Sequence, residues 1–529
     1  MRVPTSGEFP IFTQPLRLGE FVATLALAQD NAFGQPLESQ LRSCLLATWI
    51  CDAAGFEKEV RDTVYWVALL RYVGCTGHAH EVATIFGDEI AIRAQTLVHD
   101  AANPAEVMRD VVAFATAGRA HEEHERIVKM IQQTAHQWAV HNFASGCEVA
   151  DMLVQRLDFG AEVREALRFT FERWNGNGFP THARGEAIPL AMRVVHLSHD
   201  MEAIGRLFSP AKAIDAARER RDQTYDPALT DVFVAHGASW FDRLDKMEPW
   251  DAVLGLEPEP RRMLDGQVLD NALTVAADFI DLKSPFMAGH NRRCAQLSAD
   301  AAQVLGLTEE AVTTLRRAAL VHDFGTTGVP NSIWDKPGPL TRAEFDRVEL
   351  HPMLTEQMLR RSAALAALNP VASAHHEKCD GSGYHKRVRA DTADPGACLL
   401  AATEIYVGMT TGRPDRAPFA GEDAAAELRQ LAAQGRLEPR ATQAVLVAAG
   451  HGAPEAPTLS WAQNPGGLSR REVDVLRLAA RGLTTQEIAD RLYISPKTAD
   501  HHIQHIYNKI AVSTRAAAAL WAMQNAVVQ

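Results

Sequence analysis

The sequence predicts an all-α protein made of two related helical domains and a small C-terminal helical module. Apolar residues recur at three- and four-residue steps in segments 60–72 and 149–157, which is the spacing of an amphipathic helix. Long runs that alternate polar and apolar residues, as strands do, are absent from the sequence. Two stretches also occur twice along the chain, and such repeats indicate repeated structural units.

The first repeat pairs ALLRYVGCTG, from Ala68, with ALVHDFGTTG, from Ala319. The second pairs FERWNGNGFP, from Phe171, with HEKCDGSGYH, from His376. Glycines are shared within each pair, which indicates shared turns or close backbone approaches. The two offsets are 251 and 205 residues, so the first copy carries about 46 extra residues. We expect these residues to form a helical insertion near 79–135.

These features divide the chain into four parts. We predict a first helical domain at 1–250, a second at 262–450, a proline-rich linker at 451–465 and a module at 466–529. The module has eight basic and five acidic residues, a net charge of +3, whereas the whole chain carries −13. Such asymmetry is typical of a small DNA-binding module attached to an acidic sensor or enzyme.

The sequence disfavours both a membrane-spanning protein and a secreted protein. No apolar run reaches the length of a membrane span, and the N-terminal residues lack the apolar core of a signal peptide. The seven cysteines include no CxxC pair, so neither a disulfide framework nor a zinc ribbon is indicated. We therefore expect a cytoplasmic protein without a membrane partner.

The second copy is rich in candidate metal ligands. Imidazoles and carboxylates suit iron, manganese, zinc or similar divalent ions, and the number present is enough for two ions. Two neighbouring ions can hold a hydroxide and polarise a phosphoryl group, as in many hydrolytic phosphodiesterases. The alternative is that these are ordinary core or surface residues of a helical bundle. The candidates are His290, His322, Asp323, His351, His375, His376 and Glu404.

The motifs HDFG, KPGPL and HHEKCDGSGYH, within about 270–450, resemble the HD-GYP branch of the HD phosphohydrolases. The resemblance implies that His322 and Asp323 form the catalytic, metal-binding HD pair and that the other five candidates are ligands. It also implies a cyclic dinucleotide, cyclic di-GMP in particular, as substrate or ligand.

Four positions depart from that family pattern. Thr326 stands where the family has a phosphate-contacting lysine, and loss of that charge weakens stabilisation of a transition state. Phe286 replaces a carboxylate associated with a third metal, His385 ends the altered GYP triplet, and Glu404 replaces an aspartate. Two alternatives follow: an active phosphodiesterase, or a sensor that binds metal or nucleotide without turnover.

The first copy has lost most of these residues. Ser39 stands at the position of His290, Arg71 and Tyr72 replace the HD pair, and Thr170 and Phe171 replace the paired histidines. His141 and His199 are interpreted as surviving ligand positions. We expect this copy not to bind the metals, and to serve as a structural part, a dimerising part or a ligand sensor.

The C-terminal module contains signals for three helix starts. Ser469 to Glu472 and Thr484 to Glu487 each form a capping box, and Ser495-Pro496 is a cap followed by proline. Helices should therefore begin near 470, 485 and 496, the last two as a helix-turn-helix. In the third helix, one face is apolar and should pack inward: Ala499, Ile503, Ile506 and Ile510. Another face is polar and suits a DNA groove: Lys497, His501, Gln504 and Asn508.

The module also closely resembles the LuxR/GerE-type DNA-binding domain, a four-helix helix-turn-helix fold. The resemblance implies a homodimer that binds promoter DNA. Asp500 is an acid on the face that should approach DNA. Our interpretation is a DNA-binding transcriptional regulator with an HD-GYP-like sensory or phosphohydrolase region. The alternative is a metal-dependent cyclic di-GMP phosphodiesterase that its helix-turn-helix regulates or localises. The predicted DNA contacts are Thr484, Thr485, Lys497, Thr498, His501, Gln504 and Lys509.

Overall fold

The structure is a computed structural model that describes residues 11–12, 14–118, 120–389, 393–452, 466, 468 and 470–528. It divides into two compact units, which we treat separately: Arg17–Met263 on one side, and Leu264–Gln529 with Met1–Leu16 on the other. The described residues are mostly helical with almost no sheet, so the predicted all-α class is confirmed. Two-residue strands, β1 (Leu16–Arg17) and β2 (Met263–Leu264), pair at the division points. None of the described helices is long and apolar enough to span a membrane.

The unit Arg17–Met263 contains the first copy and its insertion. Its described residues form twelve α-helices: α1 (Leu18–Ala32), α2 (Ser39–Ala54), α3 (Lys58–Leu70), α4 (Ala79–Phe86), α5 (Glu89–Thr96), α6 (Pro104–Thr116), α7 (His121–Arg156), α8 (Ala161–Leu167), α9 (Leu190–Leu207), α10 (Pro210–Glu219), α11 (Pro227–Leu244) and α12 (Pro249–Gly255).

Helix α2 is the centre of this unit. It packs against α3, α9, α11 and α12, and its side chains are buried from Ser39 to Cys51 with few exceptions. A helix that is buried on nearly all sides needs apolar residues on nearly all sides, which explains its weak amphipathic pattern. The insertion folds as α4, α5, α6 and the first part of α7. Its helices α5 and α6 start at side-chain caps, Asp88 and Asn103.

The other unit contains the second copy, in which the residues that the structure describes form eleven α-helices. They are α13 (Gly266–Asp281), α14 (His290–Val304), α15 (Glu309–Val321), α16 (Asn331–Trp334), α17 (Arg342–Val348), α18 (His351–Leu359), α19 (Ala363–Ala366), α20 (Asn369–Ala372), α21 (Pro395–Thr410), α22 (Gly421–Ala433) and α23 (Pro439–Ala448). Helix α14 packs against α15, α21 and α23 and is the centre of this copy. Because α14, α15 and α21 pack against one another, residues at the start of α14 and at the end of α15 lie close to each other and to α21.

The C-terminal module follows as four helices: α24 (Arg470–Ala480), α25 (Thr485–Leu492), α26 (Pro496–Ile510) and α27 (Arg515–Gln524). The starts predicted near 470, 485 and 496 agree with these bounds. The capping box between Thr484 and Glu487 is formed, and Ser495 caps α26. The linker prolines and the Ser469 cap lie outside the described residues.

Glycines at equivalent positions explain how the two copies adopt the same local backbone conformation. A Cβ atom on Gly325 would lie 1.8 Å from the carbonyl oxygen of His351, and one on Gly74 would lie 1.9 Å from that of Gly146. Both positions therefore require glycine so that the backbones can touch. Gly176 and Gly381 both have positive φ, at 83° and 77°. The predicted internal repeat is thus visible in matching turns and matching close approaches.

Candidate metal centre and helix-turn-helix

Three imidazoles of the second copy are held by the same kind of hydrogen bond. The Nδ1 atom of His322 lies 2.8 Å from the carbonyl oxygen of Ala319, in the last turn of α15. The Nδ1 atoms of His351 and His375 lie 2.6 Å from the carbonyl oxygens of Val348 and Ala372. A carbonyl only accepts, so each Nδ1 carries a proton, and in the neutral ring each Nε2 presents a lone pair. This arrangement orients histidine ligands in metal sites.

These lone pairs converge on the carboxylate of Asp323. Its Oδ1 atom lies 3.4 Å from Nε2 of His375 and 3.5 Å from Nε2 of His351. Its Oδ2 atom lies 3.5 Å from Nε2 of His322 and 3.8 Å from Nε2 of His290. All five side chains are buried. Asp323 therefore occupies the middle of the cluster, although it follows His322 directly in the sequence.

Glu404, on α21, completes one side of the cluster. Its Oε2 atom lies 2.8 Å from Nε2 of His290 and 3.3 Å from Nε2 of His322. The extra methylene of glutamate thus still brings the carboxylate to both imidazoles. His376 joins the other side, where its donor atom lies close to those of His351 and His375. All seven predicted ligands are therefore brought together, and their roles as ligands remain a prediction.

Cys294 is a donor that sequence reasoning missed. Its Sγ atom lies 3.3 Å from Oε2 of Glu404 and 3.6 Å from Nε2 of His290. The ligand set predicted from the sequence contains no sulfur, and the structure places this thiol beside it. The available signal was spacing: Cys294 lies four residues after His290 on α14, hence on the same helix face. Burial raises the pKa of this thiol well above its usual value, and the nearby Glu404 raises it further.

The cluster is strongly polarised. Burial opposes a charge on His322, but Asp323 and Glu404 raise the pKa of this imidazole to about 9. Burial would likewise raise the pKa of Asp323, but His322 and His375 lower it well below its usual range. Burial and the neighbouring His375 lower the pKa of His351 to about 4. Two ionised carboxylates therefore face one imidazole that favours its protonated form, His322, and one that resists protonation, His351.

This donor set fits a divalent cation. Nε2 of His351 lies only 2.9 Å from Nε2 of His375, although both Nδ1 atoms carry the protons. Facing lone pairs and two buried carboxylates need positive charge between them, because buried unpaired charges are costly. Nitrogen and carboxylate donors suit first-row transition metals. Among the described residues, groups of three or more such donors are found at this place.

The positions that depart from the family pattern lie around the cluster. Thr326 is buried, and its hydroxyl donates to the carbonyl oxygen of Asp323 at 2.7 Å, so it brings no positive charge. Phe286 lies half-buried in a 3₁₀ turn before α14. Nε2 of His385 lies 2.9 Å from the carboxylate of Glu356. Tyr384 stacks on His376, with ring centroids 4.8 Å apart.

The first copy has no comparable set at the corresponding place. Gly146 occupies the position of His351, as the two glycine contacts show, whereas His141 lies five residues earlier and is exposed. The interpretation of His141 as a surviving ligand is therefore wrong. Arg71 fills the position of His322 and approaches Asp200, at 3.7 Å. His199 is paired with Asp200 at 3.3 Å.

The C-terminal module presents a polar helix face. In α26 the apolar residues Ala499, Ile503, Ile506 and Ile510 are buried, as the sequence predicts. The opposite face is exposed and includes Lys497, Thr498, His501, Gln504 and Asn508.

The remaining predicted DNA contacts flank this face. Thr484 caps α25 and is exposed, and Thr485 is half-buried. Nζ of Lys509 lies 2.7 Å from the carboxylate of Glu472, so it is held in an ion pair within the module. Arg515 donates to the carbonyl oxygen of Leu483. The exposed polar surface of the module therefore runs along α26 from Lys497 to Asn508.

Comparison with protein families agrees with both parts of this geometry. Residues 141–229 and 274–441 match the family described as "HD domain", and residues 467–522 match "Bacterial regulatory proteins, luxR family". The chain thus combines an HD region, present in two copies, with a C-terminal luxR-family helix-turn-helix domain.

Individual relatives belong to the HD-GYP cyclic-nucleotide phosphodiesterases. The chain is 28% identical to 3'3'-cGAMP-specific phosphodiesterase 3 of Vibrio cholerae over 412 residues, which are 76% of this chain and 88% of that protein. It is 32% identical to a cyclic di-GMP phosphodiesterase of Thermotoga maritima over 160 residues, 30% of this chain and 43% of the relative.

A solved structure shows the same fold. The crystal structure of the V. cholerae cyclic GMP-AMP phosphodiesterase V-cGAP3 aligns over 82% of this chain and 98% of that one. The TM-score is 0.58 and the sequence identity is 24%. The resemblance to HD-GYP and LuxR/GerE proteins that the motifs indicated is confirmed.

Proposed function

We propose that this protein is a DNA-binding transcriptional regulator whose second HD copy binds a cyclic dinucleotide at a divalent-metal centre. The observation that carries the proposal is the clustering of all seven predicted ligands, with Asp323 in their middle, in one chain with an exposed polar helix face on α26. Nucleotide binding at the metal centre would change DNA binding by the exposed helix, because a ligand shifts a protein towards the conformational state that it binds more tightly.

The nucleotide side of the proposal rests on charge. A bound divalent ion would polarise a phosphate and lower the pKa of a coordinated water. The chain supplies six imidazole or thiol donors and two carboxylates for such ions, in two groups that a third group joins through His322 and His375. We assign two ions, of iron, manganese or a similar metal, to these groups. The named relatives act on cyclic dinucleotides, which gives the ligand class.

The DNA side rests on α26. Its exposed face combines an ammonium, an amide, a hydroxyl and an imidazole, which are the groups that read base edges in the major groove. The N-terminus of α25, next to Thr484 and Thr485, suits a backbone phosphate. Lys509 would serve as a phosphate contact after leaving Glu472. We propose a homodimer in the cytoplasm, with each module reading one half-site of promoter DNA.

Phosphodiester hydrolysis is the second candidate function, and the intact cluster favours it. His322 and Asp323 would then be catalytic residues, and the substrate would be cyclic di-GMP or 3'3'-cGAMP. Thr326 argues for slow turnover, because a hydroxyl that donates to Asp323 leaves no cation beside the reacting phosphate. Binding without turnover and binding with turnover make different predictions for the same sample.

One set of measurements on the full-length protein separates these functions. Metal content is determined first, and binding of genomic DNA fragments is then measured with and without cyclic di-GMP and 3'3'-cGAMP. We expect bound metal, salt-sensitive DNA binding and at least a threefold change in DNA affinity with one nucleotide. Asp323→Asn should abolish the nucleotide effect while DNA binding alone persists. Lys246→Ala, an exposed change in the first copy, is the matched control.

The outcomes are distinct. Linear dinucleotide product, lost in Asp323→Asn, establishes the enzyme. A nucleotide effect on DNA binding without product establishes the sensor. If the protein holds no metal and binds no nucleotide, the cluster is not a metal and nucleotide site. If the protein does not bind DNA, it is not a transcriptional regulator.

A further inference from the structure

The first HD copy encloses a cavity of about 540 Å³ at the place of its lost metal centre. Arg71 and Tyr72, which replace the HD pair, line the cavity together with Phe171, which replaces the second of the paired histidines. Sites for small molecules commonly have volumes of about 300–1,000 Å³. The cavity is therefore large enough for a ligand and lies where the related copy holds its donors.

The insertion builds the apolar wall of this cavity. Helices α4, α5 and α6 contribute aliphatic and aromatic side chains, and α7 adds Ile131 and Trp138. The repeat alone does not need these helices, since the second copy lacks them. The 46 extra residues of the first copy thus line a cavity with an apolar surface.

The opposite end of the cavity is cationic. Arg71 and Arg173 are buried, with 3% and 7% of their surface exposed, and both line the cavity. Asp200 is the carboxylate in the wall, and both guanidinium groups lower its pKa, although burial opposes this. It lies 3.7 Å from Arg71 and also accepts from Tyr225 at 3.0 Å. The nearby Glu172 accepts from Thr181 instead.

Two buried guanidinium nitrogen atoms in this wall, Nε of Arg71 and Nε of Arg173, have no hydrogen-bond partner among the described residues. An unsatisfied buried donor is costly, the more so when it is charged, so these two arginines indicate a missing acceptor. Arginine matches a carboxylate or phosphate with paired hydrogen bonds.

We infer that the first HD copy is a binding site for a small amphipathic anion. A carboxylate head is held by Arg71 and Arg173, and an aliphatic body lies along α4, α5 and α6. One guanidinium is balanced by Asp200 and the other by the ligand. This site is separate from the metal centre of the second copy and does not depend on its activity.

Palmitate is the probe for this site in the full-length protein, with hexadecyltrimethylammonium as a cationic counterpart of equal chain length. We expect one palmitate per chain by calorimetry and native mass spectrometry, and at least tenfold weaker binding of the ammonium compound. Arg71→Met keeps the side-chain volume and should weaken palmitate at least tenfold. Val111→Trp should do so by filling the apolar end.

Arg221→Met is the matched control, because this exposed arginine pairs with Asp231 on the same unit. It should bind palmitate like the wild type. Circular dichroism checks that each variant is folded; if Arg71→Met is not, the head-group comparison in the wild type decides alone. Equal binding of both head groups, unchanged binding by folded Arg71→Met, or no saturable palmitate binding would each overturn the inference.

Discussion

The Nε2 atoms of His351 and His375 lie 2.9 Å apart, while the Nδ1 atom of each ring faces a backbone carbonyl. Two lone pairs therefore face one another in a buried site, beside the carboxylate of Asp323. Without a cation, one ring must take up a proton that burial and its neighbours oppose, since the pKa of His351 is lowered to about 4. We therefore predict that the second copy depends on a bound metal for its stability.

Metal removal should therefore destabilise the second copy. A site occupied at a metal concentration 100-fold above Kd gains about 2.7 kcal/mol of folding free energy. We expect dialysis against a chelator to lower the melting temperature of the full-length protein by several degrees, and manganese or iron to restore it. Differential scanning calorimetry measures the change. Asp323→Asn should melt at one temperature with or without metal, and a wild type insensitive to chelator would contradict the prediction.

Glu404 should be required for metal although it departs from the family aspartate. Its Oε2 atom is within 2.8 Å and 3.3 Å of two imidazole nitrogens, so Glu404→Gln removes the charge at an almost unchanged shape. We expect at least tenfold weaker metal binding by titration with a competing chelator. His385→Gln is the matched control, because His385 pairs with Glu356. Equal affinities of wild type and Glu404→Gln would show that Glu404 is only a structural acid.

Most of the fold could be predicted from local sequence patterns. The helix starts at Thr484 and Ser495 were readable because caps satisfy orphan amide groups through side chains three residues away. The repeat was readable because Gly74 and Gly325 each meet a backbone too closely for any side chain. Such features depend on neighbours in sequence or on one residue type.

Features formed between distant segments were harder to predict. Cys294 was missed because only the packing of α14 against α21 brings its sulfur to Glu404. His141 was misassigned because the sequence indicates the length of the insertion but not the residue at which the repeat continues after it. Gly146, not His141, occupies the position equivalent to His351. The cavity of the first copy was also unforeseen, because apolar residues of an insertion read the same whether they fill a core or line a void.

Acid should weaken the first copy through His78. Burial, and next the charge of Arg93, lower the pKa of this imidazole to about 3, against 6.5 for the unperturbed group. The unfolded chain thus binds a proton between these two pKa values and the folded chain does not. The stability that His78 contributes is full above pH 6.5 and is lost as pH falls towards 3. The loss is on the order of a few kcal/mol.

Thermal unfolding of the wild type and His78→Gln between pH 4 and pH 8 measures this effect. The variant has no titrating group at that position, so its melting temperature should fall less steeply below pH 6.5. His121→Gln, which changes an exposed histidine, should follow the wild type. Parallel curves for the wild type and His78→Gln would contradict the prediction.

The recognition helix should bind DNA more tightly after one acid is removed. Asp500 is exposed, three residues after Lys497 on α26, and its negative charge opposes the phosphates. We expect Asp500→Asn to raise DNA affinity about two- to fivefold at low salt, with a smaller gain at high salt because ions screen the repulsion.

Lys497→Ala should lower affinity about tenfold, within the range of a lost base or phosphate contact. Fluorescence anisotropy across a salt series measures both, and Asp490→Asn, an exposed acid on α25, tests whether net charge alone suffices. If Asp490→Asn raises affinity as much as Asp500→Asn does, α26 has no special place in the interface.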